Sequence, residues 1–291
     1  MNTVNKLDGV GSLAHRYPIW LCDIWGVIHN GVAAHEAAVE ALTRYRSSGG
    51  AVALITNAPR PSPEIALQLD NFGVPSDAYD AIITSGDVTR TLLEDRQSQA
   101  MFHLGPARDA PIYAGLEIEF GALEEAECIL CTGLFNDETE TPGDYADMLS
   151  EAAERELLMI CANPDRVVHR GEKLIYCAGA LADVYSALGA EVIFAGKPYA
   201  PIYDLALKYL EEFCGLDPEP KHVLAIGDSM QTDIAGAASL GFDALFITGG
   251  IHAQEMMDEE EGGQVLSEYL DELQAELPSL NLVGTQTQLW W

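Results

Sequence analysis

The sequence predicts an α/β fold: a doubly wound parallel sheet core interrupted by an inserted αβ domain. Three observations carry that reading. Short apolar runs alternate with amphipathic helical stretches almost from end to end. The middle of the chain keeps an alternating rhythm of its own, and 291 residues are enough for two domains. Apolar residues make up 48% and charged residues 21%, so the chain can bury cores and is not globally disordered.

Taken in order, Tyr17–Cys22 reads as a strand, and Ala33–Ser48 as a helix closed by Gly49-Gly50. Ala51–Ile55 is the next strand, followed by a helix that opens at Ser62-Pro63-Glu64 and stops near Gly73. Asp80–Ile83 is a third strand, and a helix runs from about Asp87 to Arg96. The inserted segment, 88–190, brings strands at Met101–Leu104, Glu127–Cys131, Leu157–Cys161 and Lys173–Cys177. Its helices are expected at Asp144–Glu156 and Ala178–Leu188. The main sheet is then expected to resume with Glu191–Ala195, a helix Ala200–Cys214 and the strand His222–Ile226. A helix Asp233–Leu240 and the strand Ala244–Ile247 complete it. The core is therefore 1–87 with 191–291. The acidic run Asp258–Gly263 reads as a solvated turn.

Charge and cysteine content bound the partners. Fifteen Lys and Arg against 46 Asp and Glu give a net charge of −31. Such a field repels phosphate backbones and anionic lipid, so neither nucleic acid nor a membrane surface is expected as a partner. Salt adaptation and simple solubility account for the charge equally well. No apolar run approaches the roughly 18 residues of a membrane span. Met1–Tyr17 lacks an apolar stretch behind a basic one, which predicts no signal peptide and a cytoplasmic location. The six Cys suit that compartment as reduced thiols. Cys128 and Cys131 have C-x-x-C spacing, but inside a strand they point to opposite faces, which favours core packing over metal.

Four polar residues stand at or just beyond the ends of four apolar strands: Asp23, Thr56, Lys197 and Asp228. In an open parallel sheet ligands bind outside the carboxyl ends of the strands, where all four are expected to meet. Each alone is read as well by a helix cap. Together they form a coherent chemical set. One carboxylate attacks phosphorus, and a second beside it holds Mg²⁺ through hard oxygen. Lys and a hydroxyl bind the phosphoryl oxygens. A receiver domain also uses Asp, Thr and Lys, but receivers are far shorter and carry no large insertion.

Asp23-Ile24-Trp25-Gly26-Val27, Thr56-Asn57-Ala58-Pro59, Gly196-Lys197-Pro198 and Gly227-Asp228-Ser229-Met230-Gln231-Thr232-Asp233 resemble the four ordered motifs of the haloacid dehalogenase superfamily. The T-N-x-P and G-K-P forms, with about 100 residues between the second and third motifs, are similar to its class IIA branch of nitrophenyl-, nucleotide-, sugar- and pyridoxal-phosphate phosphatases. The resemblance spans nearly the whole chain. It implies a Rossmann-like core, an αβ cap and Mg²⁺-dependent hydrolysis of small phosphorylated metabolites through an aspartyl phosphate. By matching position, Asp23 is the nucleophile and a Mg²⁺ ligand, and Asp228 is the acidic ligand from the last motif. Asp233 orients metal-bound water or Lys197, where the bland reading is a helix-start acid. Thr56 and the backbone of Asn57 bind the phosphoryl group, and Lys197 stabilises its charge.

The chain departs from the pattern at Trp25. Phosphatases of the superfamily usually have a second Asp there, acting as general acid and then base. The Trp25 carbonyl still serves as a metal ligand in this reading, but indole has no transferable proton. His29, in the same loop, is the candidate donor, against the plainer reading of an exposed His. Asn163-Pro164-Asp165 resembles the cap loop that reads the leaving group, or is an ordinary Pro turn. Thr84-Ser85-Gly86 and Thr248-Gly249-Gly250 read as small loops at strand ends. The rival functions are a weakened binder of phosphorylated metabolites and a phosphotransferase to an acceptor other than water. Homodimerisation is left open.

Overall fold

The computed structural model describes residues 6–170, 173–251, 275, 278 and 280–291, with the side chains of 169, 170, 173 and 174 left aside. The acidic run at 258–263 lies outside the described residues. The chain forms two compact units, one from residues 1–56, 65–83 and 203–291, the other from 57–64 and 84–202.

The first unit is built on a six-stranded sheet. Its strands are β1 (Ile19–Asp23), β2 (Ala51–Thr56), β3 (Ala81–Thr84), β10 (Val223–Gly227), β11 (Asp243–Ile247) and β12 (Asn281–Gln286), in the order β12-β11-β10-β1-β2-β3. All pairs from β12 through β2 are parallel. β1, β2 and β10 are buried at every residue, which explains why their sequences are continuous apolar runs. The chain leaves β1 towards β2 and β3 on one side, while β10 to β12 fill the other. The order therefore reverses between β1 and β10, which opens a crevice at their carboxyl ends.

Helix α1 (Glu36–Ser47) buries Ala38, Ala41, Leu42 and Tyr45, a helical stripe, and Tyr45 stacks on Trp20 of β1 with ring centroids 3.6 Å apart. It begins three residues later than the sequence suggests. The Asn30 side chain accepts hydrogen bonds from the Val32 and Ala33 N–H groups, and these hold the preceding segment as a turn. Helix α2 spans Ser62–Asn71 and α7 spans Ala235–Leu240. A single π turn, Met230–Ile234, precedes α7, so Asp233 lies in that turn and not at the start of the helix itself.

The second unit has a four-stranded parallel sheet of β4 (Met101–Leu104), β5 (Cys128–Cys131), β6 (Leu158–Cys161) and β9 (Val192–Phe194), in that order. Strands β7 (Val167–Arg170) and β8 (Lys173–Tyr176) form an antiparallel hairpin. Helices α3 (Ser85–Glu94), α4 (Ala146–Glu154) and α5 (Ala178–Ala187) complete it, and α6 runs from Ala200 to Cys214. The expected return of 191–195 to the main sheet is corrected here. β9 pairs with β6, because β6, α5 and β9 close a local strand–helix–strand crossover.

Thr84-Ser85-Gly86 is likewise a helix start and not a loop. Thr84 and Asp87 cap α3 reciprocally, Asp87 N–H to Thr84 Oγ1 at 2.9 Å and Thr84 N–H to Asp87 Oδ2 at 3.0 Å. Cys131 and Cys128 fall in separate apolar clusters, as expected of positions i and i+3 in a strand. Burial pushes their thiols up to about 12 and about 11, which makes them packing residues.

Candidate active site

The reversal of strand order in the first unit determines what stands in its crevice. Asp23 is the last residue of β1, and Asp228 follows the last residue of β10, the strand beside it. Thr56 ends β2, one residue beyond the Asp23–Ile55 pairing. All three side chains are buried. Asp233 joins them through the π turn. Asp23, Asp228 and Asp233 each present a carboxylate oxygen, and these oxygens lie within 4.8 Å of one another.

The backbone around the carboxylates is shaped for close approach. A Cβ on Gly26 would stand 1.9 Å from Asp228 Oδ2, and a Cβ on Gly250 equally close. Gly26 also has φ +80°, which excludes most side chains. The Ile251 N–H donates to Asp228 Oδ2 at 2.7 Å, so the Thr248-Gly249-Gly250 turn positions that carboxylate. Asp233 Oδ2 accepts from the Ser229 N–H at 3.2 Å, and its side chain packs where a Cβ on Gly227 would be.

Carboxylates at this spacing, where ionised, would repel one another by about 3–4 kcal/mol per pair at an effective dielectric near 20. A cation relieves that repulsion. An all-oxygen, buried donor set in a cradle closed by two glycines suits a hard divalent ion.

In the second unit, Lys197 follows β9, and Asn57 holds it. Asn57 Oδ1 accepts from the Lys197 N–H at 2.7 Å, and Asn57 Nδ2 donates to the Lys197 carbonyl at 3.0 Å. The same Nδ2 donates to Asp165 Oδ1 at 2.9 Å, and the Asp165 N–H donates to Asn163 Oδ1 at 3.0 Å. The Asn-Pro-Asp loop is thus built into the support of Lys197. Gly196 is required there, since a Cβ would stand 2.4 Å from Asn57 Oδ1. The sequence pointed to the Asn57 backbone; the side-chain clamp went unread, and its only signal was an amide beside Thr56.

Lys197 therefore does not follow a strand of the sheet that carries Asp23, Thr56 and Asp228, contrary to expectation. A further polar group went unread at the carboxyl ends of β4 and β5. There His103 Nε2 lies 3.0 Å from Thr132 Oγ1, and Arg108 pairs with Asp137.

Trp25 and His29 also resolve. His29 is fully buried, not exposed, and burial, with His35 nearby, lowers its pKa to about 4. Its Nδ1 accepts from the Gly31 N–H at 3.0 Å, and its Nε2 has no hydrogen-bond partner among the described residues. A neutral, enclosed imidazole is a poor proton donor near neutral pH, so the candidate donor role for His29 is withdrawn.

A parallel sheet with three carboxylates clustered at its point of reversal, and Asp23, Thr56-Asn57, Lys197 and Asp228 in that order along the chain, is an arrangement suited to phosphoryl transfer in an α/β enzyme. The comparisons with known proteins agree. The sequence profile of the haloacid dehalogenase-like hydrolases matches residues 20–119, and a second profile of HAD-like hydrolases matches 194–273. A haloacid dehalogenase-like hydrolase from Brucella suis 1330 is 45% identical, with a TM-score of 0.78 over 85% of this chain and 94% of that one. A p-nitrophenyl phosphatase from Archaeoglobus fulgidus shares the fold at 22% identity, with a TM-score of 0.69 over 94% and 96%. The 5'-nucleotidase YutF of Bacillus subtilis is 24% identical over 84% of this chain and 92% of its own length. The chain belongs to the haloacid dehalogenase-like hydrolases. Among the described residues, no helix is long and apolar enough to cross a membrane.

Proposed function

We propose that this hydrolase is a Mg²⁺-dependent phosphatase of small phosphorylated metabolites, working through an aspartyl phosphate in a cytoplasmic setting. The observation that carries the reading is the buried cluster of Asp23, Asp228 and Asp233 at the point of strand reversal. Asp23 and Asp228, with the Trp25 carbonyl, are the groups assigned to hold Mg²⁺, and Asp233 supports them. When bound, the ion would offset the repulsion between a carboxylate nucleophile and an anionic phosphate.

The chain's own residues then divide the work. An Asp23 oxygen attacks phosphorus, the ester oxygen leaves with its electron pair, and an acyl phosphate forms on Asp23. Water cleaves that intermediate and restores the carboxylate. Thr56 and the Asn57 backbone bind the phosphoryl oxygens, and Lys197 balances their charge, roles assigned by the order of the four motifs. The inserted segment takes the part of a cap, with Asn163 and Asp165 in the loop given to reading the leaving group. Relatives named as a 5'-nucleotidase, an acid sugar phosphatase and a p-nitrophenyl phosphatase support this substrate class.

One observation favours a second reading. At the position where a general acid is expected stands Trp25, whose ring contacts are the aromatic neighbour His29 and the backbone at Gly31. General acid–base help is worth on the order of 10²–10⁴-fold, so a slow enzyme or a binder of phosphorylated metabolites fits that substitution. Phosphate release from a panel of phosphorylated metabolites and nitrophenyl phosphate, with Mg²⁺ and with chelator, separates the two. Chelator-sensitive turnover supports the phosphatase; saturable binding without turnover supports the binder.

A further inference from the structure

The indole of Trp25 is fixed and yet exposed. A Cβ on Gly31 would lie 2.7 Å from Trp25 Cζ3 and 3.0 Å from Cη2, so the benzo edge of the indole rests on the Gly31 backbone. Gly31 also has φ +85°. The His29 ring meets the indole edge to face, centroids 4.7 Å apart and planes at 74°. His29 is in turn immobilised by Phe72, at 4.9 Å and 62°, and by the Gly31 N–H. The loop backbone closes through the Gly26 N–H to the His29 carbonyl at 2.9 Å.

Despite these supports, Trp25 keeps 44% of its surface exposed. A buried Trp stabilises a fold more than a half-exposed one, so this placement is not explained by packing. The ring stands two residues from Asp23, in a loop whose Gly26 abuts Asp228. Val32 of the same loop is 82% exposed, and Ile251, whose N–H binds Asp228, is 61% exposed. The two loops that meet Asp228 therefore present apolar side chains to solvent, one of them a rigid aromatic ring.

We propose that Trp25 is a specificity-determining residue, its indole a stacking platform for a planar ring in the leaving group, so that aryl phosphate monoesters are the preferred substrate class. This rests on the phosphatase reading and deepens it. Sugar hydroxyls are recognised by directional hydrogen bonds, and Trp25, Val32 and Ile251 offer only one side-chain N–H among them. A planar ring needs a π face and loses little by docking on one already held still. The chemistry points the same way. Without an acid at position 25, the ester oxygen must depart as a stable anion, as a phenolate does and an alkoxide does not.

The test is binding of inert phosphonates to the Mg²⁺-loaded protein, since their C–P bond cannot be cleaved by this chemistry. Benzylphosphonate carries the ring, and ethylphosphonate does not. Calorimetry should show the wild type binding benzylphosphonate more tightly. Trp25→Leu should weaken it about tenfold while shifting ethylphosphonate less than twofold, and Trp25→Phe should restore most of the loss. Trp25→Met keeps apolar bulk without a ring and replaces the Leu variant if that one does not fold.

Equal weakening of both phosphonates, no weakening of either, or no preference for the ring in the wild type overturns the proposal. Failure of the phosphatase reading is a separate result, namely absence of Mg²⁺-dependent phosphate release by the wild type from any ester.

Discussion

Asn57 grips Lys197 by both of its backbone groups: Oδ1 takes the Lys197 N–H at 2.7 Å, and Nδ2 gives to the Lys197 carbonyl at 3.0 Å. The two residues are 140 positions apart in the chain. A single amide thus fixes the backbone from which the only Lys of the four motifs projects, and ties it to Asp165 as well. Asn57→Ala removes all three bonds from a buried place. It should cost on the order of 2–4 kcal/mol of stability. It should also lower kcat by roughly 10²-fold through misplacement of Lys197. Denaturant midpoints and steady-state kinetics check both, and wild-type kcat in the variant would show that the clamp does not serve catalysis.

The cradle around Asp228 gives a sharper metal test than deleting the carboxylate. In Gly250→Ala the new Cβ would be driven against Asp228 Oδ2, which must move. Mg²⁺ affinity, measured by calorimetry, should fall about 10–100-fold while every acidic side chain remains. Asp228→Ala should weaken it further, because a charged hard ligand is gone. Unchanged affinity in both variants would place the ion elsewhere.

Trp25→Asp supplies the carboxylate that the motif resemblance implies at this position. Hydrolysis of poorly activated alkyl phosphates should rise, on the order of tenfold or more, because the acid can protonate the departing oxygen. Nitrophenyl phosphate should gain little or lose, since its leaving group needs no proton and the stacking face is removed. A uniform fall on both substrate types, with a lower melting temperature, would mean that the indole matters only for packing.

His29 makes stability depend on pH. Its pKa is about 4 in the folded chain, against about 6.5 when unfolded, because burial disfavours the charged ring. Below pH 6.5 the unfolded state therefore binds the additional proton. The stabilisation present above that pH is lost as pH falls towards 4, by about 3 kcal/mol for this group. His29→Leu should flatten the fall in denaturant midpoint between pH 7 and 4.5. Some slope stays, since His35 and His103 are shifted the same way. An undiminished slope would show that His29 titrates normally.

Much of this fold was legible because its signals are local. The buried strands β1, β2 and β10 are unbroken apolar runs, and Asp23, Thr56 and Asp228 mark their ends. What failed was partner choice. Val192–Phe194 announces a strand, but nothing in three apolar residues tells which sheet takes it; the crossover through α5 does. β12 was missed because Asn281, Gly284 and Gln286 dilute an edge strand's pattern, and β7 because it is a short hairpin arm.

The site divided in the same way. Residue type and order showed the carboxylates, whereas the Asn57 clamp depends on a neighbour far along the chain. The seating of Trp25 depends on one glycine six residues on, a signal no larger than any turn.

The central claim is that Asp23 is the nucleophile, and acid-quenched mass spectrometry tests it most directly. The Mg²⁺-loaded protein, mixed with nitrophenyl phosphate and stopped within its first turnovers, should carry one added phosphoryl group, mapped by peptide analysis to Asp23. Slow breakdown in the absence of an acid at position 25 should favour its capture. Asp23→Asn should fold, bind substrate and show neither the adduct nor turnover. A phosphoryl group on another residue, or Mg²⁺-dependent turnover surviving in Asp23→Asn, would contradict the account.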